Sequence, residues 1–279
     1  MNNLLILIEC QDGVGLVANI TRILALHQLN IIAMREFVDE SENKFFTRIA
    51  CSGIVEDEAI LEQELLRILL KEAKVTVVAK SEKNIAVLVT KEFHCLADLL
   101  VRNHFKTLGA TVKCVVGNHQ TLKEFAEKLN VPFFFVNHED KNRDLFEQEI
   151  NNLLATYQLD YIVLAKFMRI LSPSFINQYP NKIINIHHSF LPAFIGASPY
   201  KQAFHRGVKI IGATAHFVTN HLDEGPIISQ QTVHVNHTFN AKEMAIAGRE
   251  IEKGVLSKAL EQVLEDRVFV SGNKTIVFE

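Results

Sequence analysis

The chain has 279 residues, 48% apolar and 22% charged, the balance of a globular protein with room for two domains. A net charge of -3 excludes the basic footprint of a nucleic-acid binder, and no apolar run approaches the roughly 18–20 residues of a membrane-spanning helix. The start, Met1-Asn2-Asn3-Leu4, carries no signal-peptide pattern, and four scattered cysteines (Cys10, Cys51, Cys95, Cys114) fit buried thiols in a reducing cytoplasm.

Residues 4–8 form an apolar run short enough for a buried strand. Gln11-Asp12-Gly13-Val14-Gly15 turns the chain, and Leu16, Ile20, Ile23 and Leu24 then recur at helical spacing. Residues 29–37 and 44–52 predict strands flanking the polar turn 39–43, hence a hairpin. Residues 56–72 have helical spacing in Ile60, Leu61, Leu65, Ile68 and Leu69, and 75–78 predict a last strand. The order βαββαβ is that of a ferredoxin-like unit. The polar segment Ser81-Glu82-Lys83-Asn84 is the expected linker, dividing the chain into domains 1–81 and 84–279.

Beyond it strands and helices alternate. Strands are predicted at 85–90, 111–116, 133–136, 161–165 and 183–187, and helices at 96–108, 122–129, 145–157 and 172–178. This rhythm indicates an α/β, Rossmann-like, mostly parallel sheet with helices on both faces. Residues 211–218 and 227–235 read as added antiparallel strands, 241–264 as a long helix and 274–278 as a final extended piece. Phe133-Phe134-Phe135 is expected in the core.

Asn185-Ile186-His187 closes a predicted strand, so the amide and the imidazole share one face. Ligands of open α/β sheets gather beyond the carboxyl ends of the strands. Leu222-Asp223-Glu224-Gly225-Pro226 is a turn by composition and can return a carboxylate to the same crevice. An amide donor, an imidazole and a carboxylate are the parts needed for acyl transfer through a tetrahedral intermediate. On composition alone the same residues equally serve to end a strand and cap a turn.

The motifs NIHHSFLP at 185–192 and LDEGPII at 222–228 resemble the folate-dependent formyl transferase and hydrolase family. That resemblance covers roughly residues 85–269 and implicates Asn185, His187 and Asp223 as the catalytic set. YIVLAKFMRIL at 161–171 resembles the family's folate-pocket segment. The implied folate contacts are Phe167, Met168, Arg169, Ile170, Leu171, His188, Val218, Thr219 and Leu222. Lys166 and Arg169 are candidates to attract the glutamate tail, and His216 is expected to pack.

Transferases acting on glycinamide ribonucleotide carry a glycine-rich phosphate turn where this chain has Thr90-Lys91-Glu92-Phe93-His94-Cys95-Leu96. No glycine is present there to let a backbone approach a phosphate. That segment, the pair His187-His188 and GATAHFVT at 212–219 resemble the formyltetrahydrofolate deformylases, which give the formyl group to water. Residues 10–23 resemble an ACT domain, and such a domain ahead of a formyl transferase-like one is the deformylase arrangement.

The resemblance implies hydrolysis of 10-formyltetrahydrofolate to formate and tetrahydrofolate, serving one-carbon balance and purine synthesis. Asp223 can act as a base there only if burial raises its pKa. No metal or other cofactor is expected, because no His, Cys or carboxylate cluster shows ligand spacing. An amino-acid effector, glycine or methionine by the family's habit, is implied at Asp12, Gly13, Val14, Gly15 and Leu16, with a homodimer or homotetramer and no nucleic-acid or membrane partner. A formyltransferase with an amine acceptor and a non-catalytic folate or amino-acid sensor remain the alternatives.

Overall fold

The computed structural model describes residues 3–69, 72–79, 82–139, 141–193 and 199–279. Met1, Asn2, Leu70, Lys71 and Ser81, which fall at the start of the sequence, in the expected second helix and in the expected linker, lie outside that set. The chain forms two compact units, Met1–Ser81 and Glu82–Val277.

The first unit runs β1 (Asn3–Gln11), α1 (Leu16–Leu26), β2 (Asn30–Asp39), β3 (Lys44–Ser52), α2 (Glu58–Ile68) and β4 (Lys74–Ala79). The strands form an antiparallel sheet in the order β2-β3-β1-β4. Alternate residues of β1, Leu4, Ile6, Ile8 and Cys10, enter one core with Leu16, Ile20 and Leu24 of α1 and Leu61 and Leu65 of α2. Period two on the strand and period four on the helices put these side chains on facing surfaces. The side chain of Asp57 accepts a 2.8 Å bond from Ala59 N and starts α2. Ile60, expected on the buried stripe, is exposed instead, one position off the Leu61–Leu65 line.

The second unit begins with β5 (Lys83–Val89), α3 (His94–His104), β6 (Ala110–Gly117), α4 (Lys123–Lys128), β7 (Phe133–Phe135) and α5 (Arg143–Leu154). Next come β8 (Tyr161–Leu164), α6 (Pro173–Ile176), β9 (Ile183–His187) and α7 (Pro199–Arg206). β10 (Ile210–Phe217), β11 (Ile227–His234), α8 (Ala241–Leu264), β12 (Val268–Ser271) and β13 (Lys274–Val277) complete it. The seven-stranded sheet has the order β11-β10-β9-β8-β5-β6-β7, parallel from β9 to β7 and antiparallel at β10 and β11. The order reverses at β5, which lies between β6 and β8. Loops after β5 and β8 therefore part to opposite sides and leave a crevice at the carboxyl ends. Ile85, Val87 and Val89 pack with α3 and α8 on one face, while Ala86 and Leu88 pack with α5 and α6 on the other.

Three expectations change. Lys83 and Asn84 belong to β5 rather than to a linker: Asn84 N donates to Asp160 Oδ2 at 2.7 Å, and Asp160 N to Asn84 O at 2.8 Å. β7 is a three-residue edge strand, so Phe133 is buried but Phe135 faces outward, 42% exposed. The final extended piece is half of a hairpin with β12, turned at Gly272 with φ 59°.

Candidate active site

Asn185 and His187 project from one face at the end of β9, and β10 lies antiparallel beside them with His216 opposite Asn185 and Thr214 opposite His187. After β10 the chain turns through residues 222–226. Phe217 N donates to Pro226 O at 2.9 Å and closes this turn. A Cβ on Gly225 would stand 1.8 Å from Phe217 O, so only glycine lets the turn lie this close to β10. Asp223 takes the left-handed conformation, φ 58°, and its carboxylate comes back over β9.

His187 Nδ1 lies 3.2 Å from Asp223 Oδ1. A carboxylate accepts only, so Nδ1 carries the proton and donates it. His187 Nε2 is buried with no hydrogen-bond partner among the described residues. On the neighbouring strand His216 Nδ1 lies 2.9 Å from Phe217 O, and its Nε2 3.2 Å from Asn185 Nδ2. Burial lowers the pKa of His216 and keeps its ring neutral. Its single proton therefore goes to the Phe217 carbonyl, its Nε2 accepts, and the Asn185 amide must present its NH2 to the site. His216 is thus a positioning residue rather than a packing one, correcting the sequence expectation. The polar pair Thr214 and His216, alternating with Ala213, Ala215 and Phe217, is the signal that marks it.

Asp223 does not meet the condition for a base. Burial pushes its pKa up, but the hydrogen bond from His187 and the electrostatic interaction with that ring, with lesser contributions from His216 and His188, outweigh this and hold it below the usual carboxylate range. It is an anion that orients His187, not a carboxylate raised to act as a base at neutral pH. His188 is pushed down to about 4 by burial, Lys166 and His187, so it too is uncharged.

A cavity of about 330 Å³ opens in front of these groups. All nine expected folate contacts line it: Phe167, Met168, Arg169, Ile170, Leu171, His188, Val218, Thr219 and Leu222. Lys166, Ile176, Asn220 and His221 line it as well and were not among those contacts. Met168 and Ile170 are more than half exposed, an apolar rim suited to a flat aromatic ligand. A second hollow of about 320 Å³ shares Met168–Leu171 and adds Arg143, Phe146 and Glu147. Arg169 lies over the Phe146 ring, 6.0 Å from its centroid. Lys166 is not free for a glutamate tail: it is buried, and its Nζ is 3.2 Å from Glu252 Oε2.

In the glycine-free segment after β5, His94 and Cys95 are buried and Phe93 is exposed. His94, Cys95 and Glu252 have ligand atoms within 4.8 Å of one another, so a cluster of metal-ligating type exists that linear spacing did not reveal. Its cation is already supplied by Lys166, and burial pushes the Cys95 thiol far up, away from the thiolate a metal needs. In the first unit, Gly15 stands at φ 87° before α1, whose N-terminus no side chain caps. Asp12 N donates to Asn43 O at 2.9 Å, Val14 is fully exposed, and the Leu16 side chain lies in the core, leaving only its backbone to face a ligand.

The fold and the site define an enzyme of the formyl transferase class with an ACT unit in front. Residues 83–260 match the family model described as formyl transferase, and residues 4–65 that of the ACT domain. A formyltetrahydrofolate deformylase of Haemophilus influenzae is 50% identical over 273 residues, 98% of both chains. That of Bacillus subtilis is 44% identical over 278 residues, 98% of this chain and 93% of the relative. The crystal structure of the deformylase from Pseudomonas syringae superposes with a TM-score of 0.94 at 38% identity, covering 100% of this chain and 95% of that one. The chain belongs to the formyltetrahydrofolate deformylase family. All four cysteines are free and buried, and among the described residues no helix is long and apolar enough to cross a membrane.

Proposed function

We propose that this protein hydrolyses 10-formyltetrahydrofolate to formate and tetrahydrofolate, with Asn185, His187 and Asp223 as the reacting set. The observation that carries the assignment of roles is the pairing of His187 Nδ1 with an ionised Asp223, which leaves Nε2 unpartnered at the cavity. His187 Nε2 takes a proton from water as its oxygen bonds to the formyl carbon. The Asn185 NH2, held by His216, donates to the developing oxyanion. The bond to N10 then breaks, N10 takes the proton back from His187, and the formic acid product ionises. Asp223 stabilises the imidazolium between the two transfers. The pterin ring lies along residues 167–171, and the tail carboxylates meet Arg169 and Arg143.

No metal or cofactor takes part in this scheme, and turnover persists in excess chelator. Residues 1–81 form the regulatory domain and 82–279 the catalytic one, in the cytoplasm, feeding one-carbon metabolism and purine synthesis. An amino acid binds with its carboxylate at the Asp12–Leu16 loop, where an uncapped helix N-terminus presents N–H donors. The sheet edge β2, with Ile32 and Phe37 exposed, supports pairing into a dimer or tetramer. Incubation with 10-formyltetrahydrofolate alone tests the activity. Formate release without an amine supports the proposal; release only after an amine is added refutes it.

A further inference from the structure

One buried network remains outside this chemistry. Glu252, on α8, is 1% exposed at its side chain. Its Oε2 meets His94 Nε2 at 2.7 Å and Lys166 Nζ at 3.2 Å, and its Oε1 accepts from Tyr200 OH at 2.6 Å. A Cβ on Gly248 would stand 2.0 Å from that hydroxyl, so a glycine in mid-helix makes room for the Tyr200 contact. Lys166 itself stands at φ 62°, a left-handed conformation that is strained for any residue with a Cβ. A strained lysine at the mouth of β8, tied by three elements to one buried carboxylate, is costly unless its charge has a use.

The use follows from the walls of the cavity. Among the described residues lining it, Asp223 is the only acid, and it is engaged by His187. The cations are Lys166 and Arg169, and Glu252 has both oxygens occupied, so beyond Asp223 no acid at this cavity is left to pair with an incoming cation. A primary amine near neutral pH is largely an ammonium ion; water carries no charge. Resting on the hydrolase reading above, we infer that Lys166, fixed by Glu252, His94 and Tyr200, is the specificity-determining residue that rejects amine acceptors and reserves the formyl group for water. The device is repulsion of the wrong nucleophile rather than a better site for the right one. In either outcome the formyl carbon loses N10, gains the entering oxygen or nitrogen, and one proton passes from the entering group to N10.

The test measures how the formyl group partitions. The full-length protein receives 10-formyltetrahydrofolate with glycinamide, or with hydroxylamine, which is uncharged near neutral pH. The ratio of formylated amine to formate is read for the native protein, Lys166→Met and Lys166→Arg. Being a ratio, it does not depend on the folded fraction, so a merely structural role leaves it unmoved. Lys166→Met should raise the glycinamide ratio at least about tenfold, because like charges a few ångström apart in a partly desolvated site repel by more than that factor. Lys166→Arg should stay within about twofold of native, since the charge is kept. An unchanged ratio in Lys166→Met overturns the inference. If that variant does not fold, Lys166→Gln, which also removes the charge, is read in its place, and an unchanged ratio there overturns the inference. Failure of the hydrolase reading is separate, showing as no formate from the native protein without amine.

Discussion

Replacing Asp223 by asparagine removes one charge from a site where charge should matter most. The carboxylate lies 3.2 Å from His187 Nδ1, and the two side chains are only 10% and 7% exposed. At an effective dielectric near 20, a carboxylate and an imidazolium at that distance attract by roughly 332/(20 × 3.2), about 5 kcal/mol. The asparagine carbonyl can still accept from Nδ1, so geometry and folate binding survive while this attraction is lost. It is felt only when His187 carries two protons, between proton uptake from water and its return to N10. The expected result is a fall in kcat of about 10³- to 10⁴-fold. Calorimetric affinity for tetrahydrofolate should change by less than about threefold, since binding precedes the charged stage. Formate release at saturating substrate measures the first quantity. A variant turning over within about tenfold of native refutes the role given to Asp223, because a loss that small is far below the worked attraction.

Two further outcomes test the frame around the site. Gly225→Ala forces a Cβ against Phe217 O, so the turn must move; thermal unfolding should fall by about 1–3 kcal/mol and kcat by more than tenfold as Asp223 leaves His187. Gly207→Ala is the control: φ is 63° there but nothing lies within 4 Å, so it should cost backbone strain alone and leave kcat native-like. The second outcome concerns acid. Burial pushes Glu252 up, but His94, Lys166 and Tyr200 outweigh it and hold the pKa down at about 2, from 4.5. A folded-state pKa that is depressed gives stability present above the unfolded value and lost as pH falls through the folded one. The native midpoint of unfolding should therefore drop between pH 4.5 and about 2, and less steeply in Glu252→Gln. Equal acid slopes in the two proteins would remove Glu252 as the source.

Elements with a strong local pattern were legible from sequence. α8 spans Ala241–Leu264 as expected because its start carries a capping box, Asn240 with Glu243, and its apolar residues keep helical period. β3 and β9 keep their predicted limits because turn residues bound them on both sides. The Asn185, His187 and Asp223 set was legible through its motifs, and the geometry joins it. What escaped depends on partners distant in sequence. His216 acquires its role only through the antiparallel register that sets it opposite Asn185. Lys166 read as a candidate to attract the glutamate tail, and its acid lies 86 positions further on, at Glu252. The direction of the Asp223 shift was likewise hidden, since burial and three histidines act against each other and only their distances decide.

The same buried acids explain why so exposed a segment can keep one shape. Residues 166–171 form a long wall of the cavity, with Met168 and Ile170 more than half exposed. Apolar packing fixes it only in part: Phe167 and Leu171 are buried in the core with Phe146, while Met168 and Ile170 face the space a ligand would take. It is also pinned at its ends. At one end Lys166 is tied to Glu252; at the other, Ser172 N donates to Glu147 Oε1 at 2.7 Å and its hydroxyl to Oε2, with Arg143 Nε 3.3 Å from the same acid. Between them, Met168 N donates to Thr90 Oγ1 at 2.9 Å. Glu252 and Glu147 come from α8 and α5, on opposite faces of the sheet. A buried carboxylate stripped of its partner costs roughly 3–5 kcal/mol, so each acid penalises any loop conformation that releases it. The wall is therefore rigid where it meets the sheet and apolar where it meets ligand, and the charges that make it rigid also decide which nucleophile can enter.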